Sequence, residues 1–157
     1  MDKTTGLYFI KLGCLLFWGC WFAIASMTNV FDFLYAIDVL PKTWVFRSGN
    51  YGALGSVFRI YFDSPVFLNV MFIADFSVQM LSAGLFYLAF IFVWSKRNAW
   101  FLINTAFALS MALWAAFLIF EEIFLAYTYE PIAINLIVIE LLTLLAVHFL
   151  PENEVIK

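Results

Sequence analysis

Residues 63–98 read DSPVFLNVMFIADFSVQMLSAGLFYLAFIFVWSKRN. Between Pro65 and Trp94 there is one charged residue, Asp75. An apolar run of about 20 residues is enough to cross a hydrocarbon layer about 30 Å thick, so this stretch is long enough to span a bilayer as a helix. Its ends are punctuated. Ser64 is placed to cap the orphan amides of the first turn, and Pro65 suits the first helical position. Ser95-Lys96-Arg97-Asn98 ends the run in polar residues.

Working outward, three more runs of the same kind appear. The spans are predicted at 12–33, 65–94, 99–127 and 131–150, with Asn98 capping the third and Pro131 opening the fourth after Glu130, whose charge favours a helix N-terminus. Lys3 and Lys11 precede the first span, and their long stems are expected to reach head groups. Pro151 and the polar Glu152-Asn153-Glu154 follow the fourth. Composition agrees: of 157 residues, 66% are hydrophobic, 21% aromatic and only 12% charged. An ordinary soluble domain is about 25% charged, and a chain this short leaves roughly a third of its unfolded surface exposed after folding. A water-soluble monomer, a disordered chain and a disulfide scaffold are thereby excluded. The net charge of −3, from eight basic and eleven acidic residues, gives no footprint for nucleic acid.

The expected fold is all-α and integral to the membrane, one domain over residues 1–157. Short connections, Lys96-Arg97 and roughly 127–130, force antiparallel neighbours, hence an up-down bundle of four transmembrane helices. The first connection, 35–64, is longer than a typical helix–helix loop. It holds Tyr35, Trp44, Phe46, Tyr51, Phe58, Tyr61 and Phe62, an aromatic content suited to the membrane–water boundary. Val57, Phe58 and Tyr61, with Arg59 on another side, permit a short interfacial helix within it. Five basic residues on the side of the termini and the 95–98 loop, against Lys42, Arg47 and Arg59 opposite, lean towards a bacterial cytoplasmic (inner) membrane with both termini in the cytoplasm. Ala23-Ile24-Ala25 imitates a signal-peptide cleavage site. The bulky Trp18, Trp21 and Phe22 before it argue that the segment is retained as a span.

Ionisable groups inside such spans are expensive and default to functional candidates, with interhelical hydrogen bonding as the plainer role. Asp75, Gln79 and Ser82 share one face of the second span, with Asp75 about 15 Å in from Pro65. Glu140 lies about 13–14 Å in from Pro131, with Thr143 close to its line. Asp75, Gln79, Glu140 and Thr143 therefore form a candidate midplane site, and adjacent helices would let the two acids share a proton. In the third span Asn104, Ala108, Met111, Ala115 and Glu122 fall within about 40° of one line and read as a helix-packing seam, with Glu121, Trp114 and Ser110 roughly 100° away. A second candidate cluster, near the other boundary, gathers Asn29, Asp32, Asn69, Glu121 or Glu122, and one arginine. Arg47 is favoured, because the Ser48-Gly49-Asn50 turn folds it back over the helices. That cluster reads first as a fastening for the long connection and second as a ligand or ion site.

Much chemistry is excluded by inventory. One histidine, His148, forbids a bis-histidine haem or a multi-imidazole metal site, and it is expected at the boundary. Cys14 and Cys20 are six apart on one helix, cannot pair within it, and read as packing residues. No phosphate loop, nucleophile elbow or dinucleotide fingerprint occurs. No catalytic residue or metal ligand is assigned, and no cofactor can be named. The expected function is a small non-catalytic accessory or assembly subunit of a larger membrane complex, its partners lipid and other membrane subunits or a second copy. The alternatives are a small proton- or cation-linked transporter using Asp75 and Glu140, and a quinone- or metal-dependent membrane enzyme completed by a partner.

Overall fold

The computed structural model describes residues 3–61 and 64–151. Asp63 and the polar tail after Pro151 lie outside the described residues, as does the side chain of Lys3. The described chain is all-helical: α1 (Lys3–Ala36), α2 (Asn50–Phe58), α3 (Pro65–Trp94), α4 (Trp100–Ile123) and α5 (Glu130–Phe149). Four of these, α1, α3, α4 and α5, are long and apolar enough to cross a membrane, which suggests a membrane protein.

The punctuation read from the sequence works as hydrogen bonding. Ser64 is the N-cap of α3, its hydroxyl accepting from the Phe67 N–H at 3.4 Å, and Pro65 takes the first position. The Asn98 side chain accepts from the Trp100 N–H at 3.1 Å, one residue ahead of the helix boundary at Ala99. The first span differs from expectation. It starts at Lys3, and 34 helical residues extend about 51 Å. Lys11 therefore sits inside the helix. It is 2% exposed, and its ammonium makes a cation–aromatic contact 4.1 Å from the centre of the Trp100 ring. The third span is shorter than read, ending at Ile123, where Phe124 and the left-handed Leu125 close the helix.

Neighbour order follows the chain with one insertion. α1 lies along α3, α4 packs on α3, α5 on α4, and α1 also touches α5. α2 rests on α1 and α3. The core alternates large rings with small residues: Leu15, Trp18 and Phe22 of α1 meet Ala83, Phe86 and Ala89 of α3, then Ile103, Ala106 and Phe107 of α4. Phe86 lies parallel to Phe22 with centroids 6.0 Å apart and edge-on to Phe107 at 4.9 Å. The α1–α3 contact is tight at Gly19, where a Cβ would stand 3.1 Å from the Tyr87 ring.

The seam read on the third span faces the other way. Asn104, Ala108, Ala115 and Glu122 are exposed and Met111 is half-buried, whereas Ile103, Ala106, Phe107, Ser110 and Glu121 are buried. Both sides of this helix are mostly apolar and each carries polar residues, Asn104 and Glu122 outward, Ser110 and Glu121 inward. Periodicity thus tells which residues share a face and leaves open which face turns inward.

Candidate functional site

At one end of the helices, residues 37–49 return across α1 and start α2. Gly49, at φ 81°, supplies the left-handed turn that a side chain would strain. It offers no side chain to cap α2, and Asp32 of α1 takes that role. The buried Asp32 carboxylate accepts from the Tyr51 N–H at 2.7 Å and the Ser48 hydroxyl at 3.3 Å through one oxygen, and from Arg47 at 3.0 Å through the other. A negative charge at the first turn of α2 also suits the helix dipole. The Arg47 guanidinium stacks 3.9 Å from the Tyr35 ring centre.

Asn29, one turn earlier on α1, extends this network inward. Its side-chain oxygen accepts from the Asn50 amide at 2.9 Å, and its own amide donates to Asp75 and Gln79, each at 3.1 Å. Gln79 donates to the second oxygen of Asp75 at 2.7 Å. Asn69 joins separately, accepting from the Tyr51 hydroxyl at 2.7 Å. The two clusters read from the sequence thus merge: Asn29, Asp32, Arg47, Asn69, Asp75 and Gln79 form one chain of contacts from α1 and α2 into α3.

Glu140 is elsewhere. It is fully buried on α5 and accepts from two groups of α4, the Ser110 hydroxyl and the Trp114 indole N–H at 2.8 Å. Among the described residues α3 and α5 make no close backbone approach, so α4 intervenes and Asp75 and Glu140 do not share a proton. Thr143 stays apart from both, its hydroxyl bonded back to the Ile139 carbonyl at 2.7 Å. Ser82 is wholly buried and has no hydrogen-bond partner among the described residues.

Glu121 and Glu122 do not enter the Asp32 network. Glu122 is exposed. Glu121, 8% exposed, is part of the wall of a cavity of about 350 Å3. The cavity lies between the described helices, with Asn29, Asp75 and Gln79 on one side and Trp114, Phe117, Phe120 and Phe124 among its aromatic lining. One Glu121 oxygen, Oε2, is buried with no hydrogen-bond partner. Sequence reasoning missed this cavity, although it had placed Ser110, Trp114 and Glu121 on one face of the third span. A second cavity, of about 340 Å3, lies at the opposite end and is lined by Tyr8, Lys11, Lys96, Arg97, Asn98 and Trp100 among others. Among the described residues no three of His, Cys, Asp and Glu are grouped so as to hold a metal ion. Set against protein-family models, curated proteins and solved structures, the chain matches none.

Proposed function

We propose that this chain is a non-catalytic subunit of a larger membrane complex, crossing a bacterial-type inner membrane four times with both termini in the cytoplasm, and held to its partner through the outer face of α4. The observation that carries this reading is a contrast between two outward faces. On α5 most exposed positions are bulky: Ile132, Ile134, Val138, Ile139, Leu141, Leu142 and Leu145, and only Asn135 and Ala146 are polar or small among the exposed positions from 132 to 146. On α4 the middle of the exposed face is small, Ala108, Ala112 and Ala115, with Asn104 towards one end and Glu122 towards the other, and the bulky Phe101, Ile119 and Ile123 lie only near the two ends. Bulky aliphatic side chains suit acyl chains, whereas small residues let a second helix approach closely and polar residues hydrogen-bond across the contact. The basic Lys96 and Arg97 at the α3–α4 turn support the orientation.

The test is purification in mild detergent with Ala112→Trp in the α4 face and Leu142→Trp on α5 as control. Co-purification of the native chain with a larger assembly, lost for the first variant and kept for the second at equal yield, is the expected outcome. A native chain that runs alone, or an assembly indifferent to Ala112→Trp, would overturn the reading.

A further inference from the structure

We infer that the cavity walled by Glu121 binds an amphipathic amine, a molecule with a protonated ammonium group joined to an apolar, ring-sized body. Its volume of about 350 Å3 lies in the range of small-molecule sites, roughly 300–1,000 Å3. Its wall is largely apolar, with eight aromatic residues among the twenty-two that line it, and a few polar groups converge on it, as in such sites.

The polar groups differ in what they still require. Asn29, Asp75 and Gln79 bond to one another, and Asn50 bonds to Asn29. Glu121 does not share in this: its Oε2 is buried and unpartnered on a residue 8% exposed. A buried carboxyl oxygen without a donor is costly; Oε2 is closed off from the cavity as it stands but has no hydrogen bond to give up, so the carboxyl can turn to meet a donor that a ligand in the cavity supplies. A cationic donor is favoured over a neutral one by the rest of the lining. Asp75 contributes a second carboxyl group, and the field of Glu130 also reaches Glu121. Among the described residues no lysine, arginine or histidine lines the cavity, so an anionic group finds no counter-charge there. The rings of Trp114, Phe120 and Phe124 offer faces that attract a cation and surfaces that take an apolar body. Trp114 is itself held in place by the Glu140 contact.

An ammonium group of this kind occurs on free lipophilic amines and on aminophospholipids, and the experiment separates the two. The full-length chain in dodecyl maltoside micelles is titrated with naphthylethylamine and with naphthylethanol, its neutral counterpart, reading tryptophan fluorescence, since Trp21 and Trp114 line the cavity. The amine is expected to bind at least about tenfold more tightly than the alcohol. Glu121→Gln should bring that ratio close to one, while Glu122→Gln, at the exposed neighbouring position, should leave it intact. Competition by added phosphatidylethanolamine assigns the site to lipid; binding of the amine without such competition assigns it to a free amine. Equal affinity for the two probes in the native chain, or a preference that survives Glu121→Gln, would overturn the inference. Should Glu121→Gln fail to fold, Ala25→Trp on the cavity wall is expected to weaken both probes at least about tenfold. Unchanged binding there would be equally fatal.

Discussion

Asp32 and Glu140 are both buried carboxyls, and their partners give them different roles. Asp32 ties a connection to a helix: Arg47, Ser48 and the Tyr51 amide all converge on it. Asp32→Ala should cost about 2 kcal/mol, the loss expected when charge-assisted bonds are removed from a partly exposed cation. It should also expose residues 37–49, read as faster cleavage there in limited proteolysis. Glu140 joins α5 to α4, and Glu140→Ala strands the Trp114 indole N–H and leaves the Ser110 hydroxyl only the Phe107 carbonyl of its own helix. A loss of about 1–2 kcal/mol is expected, measured by denaturant unfolding in mixed micelles. Ser82 gives the converse case, a buried hydroxyl with no partner, so Ser82→Ala should leave stability unchanged or raise it slightly. The choice of Arg47 was legible in the sequence, because a Gly in Ser48-Gly49-Asn50 is a local turn instruction. The pairing of Asp75 with Gln79 was legible from their spacing on one helix; the bond from Asn29 to Asp75 and the partners of Glu140 were not, because they depend on which helices are neighbours.

Among the elements, α1 and α4 show where helical periodicity succeeds and where it stops. On α1, Gly19 meets the Tyr87 ring while Gly13 meets nothing within 4 Å. Gly19→Leu should therefore force α1 away from α3 and destabilise by about 2 kcal/mol, as overpacking does, with Gly13→Leu as the neutral control. Thermal unfolding monitored by circular dichroism distinguishes them. On α4 the spacing grouped Asn104, Ala108 and Ala115 correctly onto one stripe, and the stripe does carry the small residues of a packing surface. Its direction was the error. In a soluble helix the polar side marks the outside, but α4 is mostly apolar with polar residues on both sides, Asn104 and Glu122 outward and Ser110 and Glu121 inward, so polarity does not decide the direction. The short α2 was anticipated around Val57 and Phe58; its start at Asn50 was not, because its cap is supplied by Asp32 from another helix.

At the scale of the whole molecule, the number of long helices was readable from apolar length and punctuation alone, since Ser64-Pro65, Asn98 and Pro131 mark boundaries within a few residues of those found. The position of α1 beside α3 and the aromatic cavity were not readable, because both arise only when separate spans meet. Four passes through a bilayer put the connections alternately on opposite sides, and that is the claim on which the subunit reading and the orientation both rest. The direct measurement replaces Cys14 and Cys20 by serine, places single cysteines at Val45, Asn98 and Thr128, all exposed, and labels them with a membrane-impermeant maleimide in intact spheroplasts and in inverted vesicles. Val45→Cys and Thr128→Cys should react only in spheroplasts and Asn98→Cys only in inverted vesicles. Labelling of all three from the same side would contradict four crossings.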